Sequence, residues 1–405
     1  MPEQRLNAAI RFFLSLYVFF LPYLKVGIPV VHYRVTLSDI FLMAAGAVIA
    51  GRVLKRRELC VGKEYLPVLA AVSFFIISLI PSGLKSHSAL EFLLEIAPYL
   101  SAFVAVFVFS ALFSFDRAAQ LKGFIKIYLA SFFISTMPAL LSFIWNSRGP
   151  FLRFFYNDAE KYQFFCITPN QYTFYAITAI LMTFVYDKIH ETVRFCILLS
   201  GAVVIFMSGS RTGSVLLLFL GVYCIGRFIV HLCQRRLSKQ TVYLSILTLA
   251  IFFVVIVPFV HNRFWNTGRS LSGITHVFSG KFGDEYRQLQ LGQSLQQFVT
   301  SPLVGIGLGN FMKVAPDGHE IHNSFLSILA EAGIIGFIGF FGFNLVLLLL
   351  VLGGIRPLGD KINGLVILAV PALYMAGHHI FRERWLWLLY VFLTVYFSAR
   401  SKEKA

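Results

Sequence analysis

The chain has 405 residues, of which 58% are hydrophobic and only 13% charged, and its mean hydropathy is +0.75. A soluble domain needs about a quarter of its residues charged to cover its surface, so a soluble protein is excluded. The formal charge of +16 comes from 35 Lys and Arg against 19 Asp and Glu. These basic residues sit in short loops between apolar runs, a pattern of membrane topology and not of a DNA-binding face.

An apolar run of about 20 residues crosses hydrocarbon as a helix. About twelve such segments are predicted, over roughly 7–24, 37–54, 66–80, 92–113, 123–145, 170–187, 193–208, 212–232, 241–260, 334–353, 362–379 and 385–399. The expected fold is all-α: one polytopic helical bundle, a single membrane domain over 1–405. Arg5 and Arg11 ahead of Phe12–Leu24 look like the start of a signal peptide. No small-x-small cleavage site follows, so the run reads as a retained first helix. Pro81, Pro150, Pro169, Pro302, Pro316 and Pro357 fall in the connections, where a missing N–H costs least. Cys60, Cys166, Cys196, Cys224 and Cys233 show no metal-ligand spacing and read as small embedded residues.

Lys and Arg favour the cytoplasmic loops. Arg52, Lys55, Arg56, Arg57 and Lys63, then Arg227, Arg235, Arg236 and Lys239, and finally Arg400, Lys402 and Lys404 put those connections and both termini inside. Three stretches are then outside: 146–169, the tight turn Ser208–Gly213, and a loop over 261–322 expected to form a subdomain at the outer mouth. Long ordered loops of this kind are usually functional, and this one carries Trp265, Phe278, Phe282, Tyr286, Phe298 and Phe311. Asp284 is placed to cap a helix running to about Val299, with Leu291, Leu295 and Phe298 on one stripe and Arg287 a turn before it. The alternative is a helix lying on the membrane surface with Arg287 solvated.

The candidates for chemistry gather at the outer helix ends. Arg211 lies in Met-Ser-Gly-Ser-Arg-Thr-Gly with almost no loop around it; a guanidinium so near hydrocarbon finds an anion or snorkels to water. His322 opens His-Asn-Ser-Phe-Leu-Ser-Ile-Leu-Ala-Glu-Ala-Gly at the start of a helix. Positive charge at a helix start disfavours imidazolium, leaving a base for neutral pH; the plainer role is capping. Glu331 either braces His322 or Arg211 or makes an ordinary interhelical hydrogen bond. Gly333, Gly336, Gly339 and Gly342 read as a small-residue packing face. His378, His379, Arg382 and Arg384 form an outer basic cluster suited to lipid headgroups. Asp158 and Glu160 have the chemistry of a divalent site, though a solvated pair is the simpler reading. Walker, Rossmann, HExxH and GxSxG patterns are absent.

Three segments together carry a resemblance. They are Ser210-Arg211-Thr212-Gly213, Tyr286-Arg287 leading into Phe298 through Phe311, and His322-Asn323-Ser324-Phe325-Leu326 through Gly336. In this order, with a long outer loop and about twelve helices, the chain resembles the O-antigen ligase and O-antigen polymerase superfamily. The likeness covers about 208–342. It implies a fold similar to the C-type glycosyltransferases, in the bacterial inner membrane, with a site facing the periplasm. It implies a glycosyltransferase taking glycan from undecaprenyl pyrophosphate without nucleotide sugar, cofactor or metal, to a lipid A–core or lipid-linked glycan acceptor. Carried over by motif, Arg211 and Arg287 grip the pyrophosphate and His322 assists the acceptor hydroxyl. Ser210, Tyr286 and Asn323 line the substrate, and Glu331 supports them from behind. The motif residues leave ligase, polymerase and other glycan-transferring relatives open. A transporter of the same lipid-linked glycan is the rival from another class; against it, no internal repeat shows and the helix centres are nearly free of charge.

Overall fold

Backbone amides in hydrocarbon have no water to bond, so apolar segments must close their own hydrogen bonds as helices. A computed structural model shows this and describes residues 2–30, 33–56, 61–86, 88–114, 118–144, 153–156, 161–185, 189–233, 242–243, 246 and 285–399, except 316, 317, 319 and 354–356. Most of the predicted span over 241–260, the start of the long loop and the Asp158–Glu160 pair lie outside the described residues. The other eleven predicted segments are all helical. Eight described helices are long and apolar enough to cross a membrane, and two shorter apolar ones flank them at Leu6–Phe19 and Arg384–Ser398. The protein is an all-α, multi-pass membrane protein.

The fold divides into two compact units, one of residues 1–128 with 285–405, the other of residues 129–284. The first begins with α1 (Pro2–Phe19), a short hairpin and α2 (Leu37–Arg56). The hairpin pairs β1 (Gly27–Val30) antiparallel with β2 (Tyr33–Thr36), Gly27 opposite Thr36. It caps α2 directly: Thr36 N–H donates to Asp39 Oδ2 at 2.8 Å, and Asp39 N–H to Thr36 Oγ1 at 3.4 Å, a reciprocal capping box. Then come α3 (Leu66–Leu79), a 3₁₀ turn over Ile80–Lys85, and α4 (Ala89–Phe113), whose N-cap Ser88 accepts from Glu91 N–H at 3.1 Å. The α5 helix (Ala118–Ile144) starts here and continues into the second unit.

In the second unit α6 (Pro169–Val185) is buried on every side from Tyr172 onward, as befits a helix surrounded by protein. Its polar groups find partners: Tyr172 Oη with Ser135 Oγ at 2.7 Å, and Thr173 Oγ1 with Ser208 Oγ at 2.6 Å. Around it pack α7 (Glu191–Ser208) and α8 (Arg211–Cys233). At the far end of α7, buried Arg194 pairs with Glu191 and donates to Thr183 O at 3.0 Å.

The chain re-enters the first unit with α9 (Glu285–Thr300), a glycine-rich segment, the single turn α10 (Phe311–Val314), and α11 (Ser324–Leu352). It ends with α12 (Leu358–Met375) and α13 (Arg384–Ala399). Aromatic rings fill the core: Phe75 meets Tyr99, Phe340 and Trp387 at centroid distances of 5.8, 5.9 and 6.1 Å.

The glycines of α11 divide their work. Gly336 and Gly339 let α3 lie close: a Cβ on Gly339 would stand 2.7 Å from Ser78 Cβ, and one on Gly336 would stand 3.4 Å from Leu79 Cδ2. This is the expected small-residue face. Gly342 only borders it, its nearest neighbour being Phe74 at 3.9 Å. Gly333 does not belong to that face. It sits at φ 64° and ψ −165° and breaks the helix, in a region open essentially to glycine alone. The break falls where the span predicted from 334 begins, and the helix expected to start at His322–Ser324 precedes it.

The α9 helix runs over the predicted span, but its buried face differs from the predicted stripe. Leu291 and Leu295 are exposed, while Gln290 and Ser294 are buried. The polar face turns inward because its partners are there: Gln290 bonds backbone groups of the 320–322 segment.

Candidate active site

Arg211 owes its position to two caps placed end to end. Gly209, at φ 66°, closes α7 with its N–H on Phe206 O at 3.0 Å. Ser210 follows at once as the N-cap of α8, its Oγ accepting from Gly213 N–H at 3.3 Å. Gly213 leaves no room for a side chain: a Cβ there would collide with Thr173 Cγ2 and stand 3.2 Å from Ile205 Cγ2. The turn between two spans therefore shrinks to two residues, and Arg211, the first residue of α8, is exposed at the helix start. Backbone N–H groups and the helix dipole there add to the guanidinium's attraction for an anion. Ser210 is buried and acts as a cap.

In the other unit the starts of α2, α4, α11 and α13 meet on one face. The glycine-rich segment 301–310 is stitched onto the kink of α11. Gly333 breaks the helical bonds that Ile334 and Ile335 N–H would make to Ala330 and Glu331. Ile334 N–H goes instead to Pro302 O at 2.9 Å, and Ile335 N–H to Leu303 O at 3.2 Å. The released Ala330 and Glu331 carbonyls accept from Ile306 and Gly307 N–H, each at 3.0 Å. The loop thus satisfies these four backbone groups at the kink. Gly305 is obligatory at φ 71°, since a Cβ would lie 2.5 Å from Ala332 N. Asn310 ties the segment to the end of the 3₁₀ turn that follows α3, through Lys85 O at 3.0 Å.

This scaffold holds the stretch from Glu320 to Ser324 residue by residue. Gln290 Nε2 donates to Glu320 O at 3.2 Å, and His322 N–H donates to Gln290 Oε1 at 3.3 Å. Ile321 is buried with Phe311, Ala315 and Ala330. Asn323 caps α11, accepting from Leu326 N–H at 3.1 Å, and donates to Ala376 O at 3.0 Å. Ser324 Oγ donates to His378 O at 2.7 Å and accepts from Ile380 N–H at 3.0 Å. His322 is left partly exposed, its ring 6.5 Å from that of His378, which stacks on Tyr374. Asn323, like Ser210, spends its polar atoms on capping.

The basic cluster does not face lipid headgroups. It is turned inward and paired with acids, because buried charge is tolerated only with a partner. Arg382 Nη2 meets Glu95 Oε2 at 2.6 Å and its Nη1 meets Glu320 Oε1 at 3.4 Å. His379 Nδ1 lies 3.4 Å from Glu320 Oε2. Arg384 grips Asp39 with two bonds, Nε to Oδ1 at 2.7 Å and Nη2 to Oδ2 at 2.6 Å. Burial would push the Glu320 carboxyl up, but the hydrogen bond from His379 and the charges of Arg382, His379 and His322 hold it well below the usual range. Burial would lower Arg382, yet Glu320 and Glu95 raise it above an ordinary arginine. Sequence reasoning missed Gln290, Glu320 and Glu95. Glu95 is a lone acid among apolar neighbours, but Gln290 and Glu320 lie in polar stretches that give no such signal.

Glu331 is buried and accepts from Phe311 N–H at 3.4 Å and Ser327 Oγ at 3.5 Å. It braces the loop–helix junction behind His322. Tyr286 and Arg287 lie in the first turn of α9, and their side chains lie outside the described residues.

The O-antigen ligase family model matches residues 195–341. The matched segment, about a third of the chain, contains Ser210, Arg211, Tyr286, Arg287, His322, Asn323 and Glu331. The match supports the O-antigen ligase superfamily and indicates an enzyme of glycosyltransferase or ligase type, acting on lipid-linked glycans. No curated protein is significantly similar to the chain.

Proposed function

From its place in the O-antigen ligase superfamily, we infer that this membrane enzyme moves a glycan from undecaprenyl pyrophosphate to an acceptor sugar on lipid A–core, at the periplasmic face of the bacterial inner membrane. The observation that carries the reading is the clamp on Glu320–Ser324. Such a clamp, pinning the backbone around a partly exposed histidine from α9 and from the loop between α12 and α13, prepays the ordering that a general base needs.

The transfer proceeds as one displacement. The acceptor hydroxyl oxygen forms a bond to the anomeric carbon while its proton passes to His322. The bond from that carbon to the phosphate oxygen breaks, and undecaprenyl pyrophosphate leaves with the electron pair. Attack opposite the leaving group inverts the carbon. Arg211 and Arg287 offer bidentate donors to the phosphate oxygens and stabilise the departing charge. Ser210 and Asn323 serve the site as the caps that set Arg211 and the residue after His322. Tyr286, next to Arg287 on α9, flanks the donor. With both termini cytoplasmic, alternation of the spans puts α8 and α11 with their starts at the periplasmic side.

The test is a deletion strain's lipopolysaccharide ladder, complemented with wild type, His322→Ala, Arg211→Ala or Arg287→Ala. Core without O-chains, with polymer accumulating on the lipid carrier and no rescue by the variants, is the expected result. Core bearing single repeats identifies a polymerase, which uses the same donor bond. An unchanged ladder, or full rescue by the variants, overturns the assignment.

A further inference from the structure

We propose that Gln290 is a positioning residue that fixes His322 to the helix bearing Arg287; the proposal rests on the catalytic reading of His322 given above. Gln290 is buried on α9, one turn after Arg287. Its amide oxygen accepts from His322 N–H at 3.3 Å, and its amide nitrogen donates to Glu320 O at 3.2 Å. One side-chain amide thus reads a C=O and an N–H two residues apart, as a neighbouring strand would. Glutamine suits this task because it carries a donor and an acceptor on one planar group. A carboxylate would set an oxygen against the Glu320 carbonyl, and an aliphatic side chain would leave both backbone groups without this partner. Ser294 Oγ on Gln290 O, at 2.6 Å, adds a bond one turn further along the same helix.

The arrangement has a functional consequence. Other bonds of the stretch, from Glu320, Asn323 and Ser324, tie it to the loop between α12 and α13. Gln290 ties it instead to α9. Movement of α9 when a donor phosphate engages Arg287 therefore reaches His322 through two hydrogen bonds. Base placement and donor engagement are linked, and loss of the link misplaces the imidazole without removing any group that touches the donor.

The experiment measures turnover by purified protein in detergent, with radiolabelled undecaprenyl-pyrophosphate-linked glycan and core lipopolysaccharide from the source membranes. Gln290→Leu is expected to lower kcat about tenfold to a hundredfold, with KM for the donor changed less than about twofold. In a His322→Ala background the same substitution is expected to cost nothing further, since Gln290 acts through that imidazole. A merely structural role would lower the residual rate again, and that result overturns the proposal. So does wild-type kcat for Gln290→Leu while His322→Ala is impaired, which leaves the catalytic reading standing. Wild-type turnover by His322→Ala overturns both. If Gln290→Leu is not recovered as folded protein, Gln290→Glu replaces it; it keeps the acceptor for His322 N–H and is expected to show a smaller kcat loss with the same non-additivity.

Discussion

Gly333→Ala attacks the joint on which the site is built. With the kink retained, the new Cβ would stand 2.5 Å from Leu303 C and 2.6 Å from Gly305 N, far inside van der Waals contact, and the loop must move off the helix. With the helix straightened, Ile334 and Ile335 recover helical partners, but Pro302 O, Leu303 O, Ile306 N and Gly307 N lose theirs. Four bonds are lost and two regained, so at about 1 kcal/mol net for each the balance is a loss of about 2 kcal/mol. A non-glycine residue at φ 64° and ψ −165° adds about 1–3 kcal/mol of strain if the kink persists. With about 2.1 cal/mol/K of unfolding entropy per residue, a chain of this size shifts by about 1 °C per kcal/mol, so the unfolding midpoint should fall by about 2–3 °C. The assay heats detergent-solubilised protein and follows the monodisperse fraction by size exclusion. Gly342→Ala is the control, since its nearest neighbour is 3.9 Å away. A Gly333→Ala midpoint matching that of the control refutes the stitched-kink account.

Three further outcomes follow from the same packing. Gly339→Ala pushes a Cβ to 2.7 Å from Ser78 Cβ and should destabilise by about 1–3 kcal/mol; adding Ser78→Gly should restore most of the loss in the same melting assay. Glu95→Leu leaves buried Arg382 short of its 2.6 Å partner and should cost about 3–5 kcal/mol. The Glu95→Leu/Arg382→Leu double variant should melt above either single one, and additive losses would refute the pairing. The Glu320 carboxyl lies below its ordinary value in the folded protein, so its contribution is full above the unfolded value of about 4.3 and fades as pH falls through the lower folded value. Wild type should therefore exceed Glu320→Gln in melting temperature at neutral pH, with the gap closing in strong acid. A gap independent of pH would show that the carboxylate charge is not what holds the segment.

Hydropathy made the helices legible, since a run such as Phe12–Leu24 or Leu66–Leu79 has no other way to satisfy its backbone in lipid. Gly-Ser at 209–210 announced a turn, and His322-Asn323-Ser324 announced a helix start. What stayed hidden was the inward face of α9. Period alone selects Leu291, Leu295 and Phe298, yet the buried residues are Gln290 and Ser294, because polarity marks a buried face only against water. The kink hid within an evenly spaced glycine series, where Gly333 looks like Gly336 and Gly339. The acids facing the basic cluster were invisible for another reason. Glu95 and Arg382, or Asp39 and Arg384, are remote in sequence, and only the fold brings them together.

The bond between Asp39 and Arg384 spans 345 residues, and that distance sets an order of assembly. At about 5–20 residues per second, synthesis leaves Asp39 waiting roughly half a minute for its guanidinium. Glu95 waits likewise for Arg382. Arg382 and Arg384, at the entry to α13, therefore complete both pairs late in synthesis. A nascent chain cut short before residue 382 lacks both guanidiniums, so Asp39 and Glu95 meet these partners only after the helices between have been made.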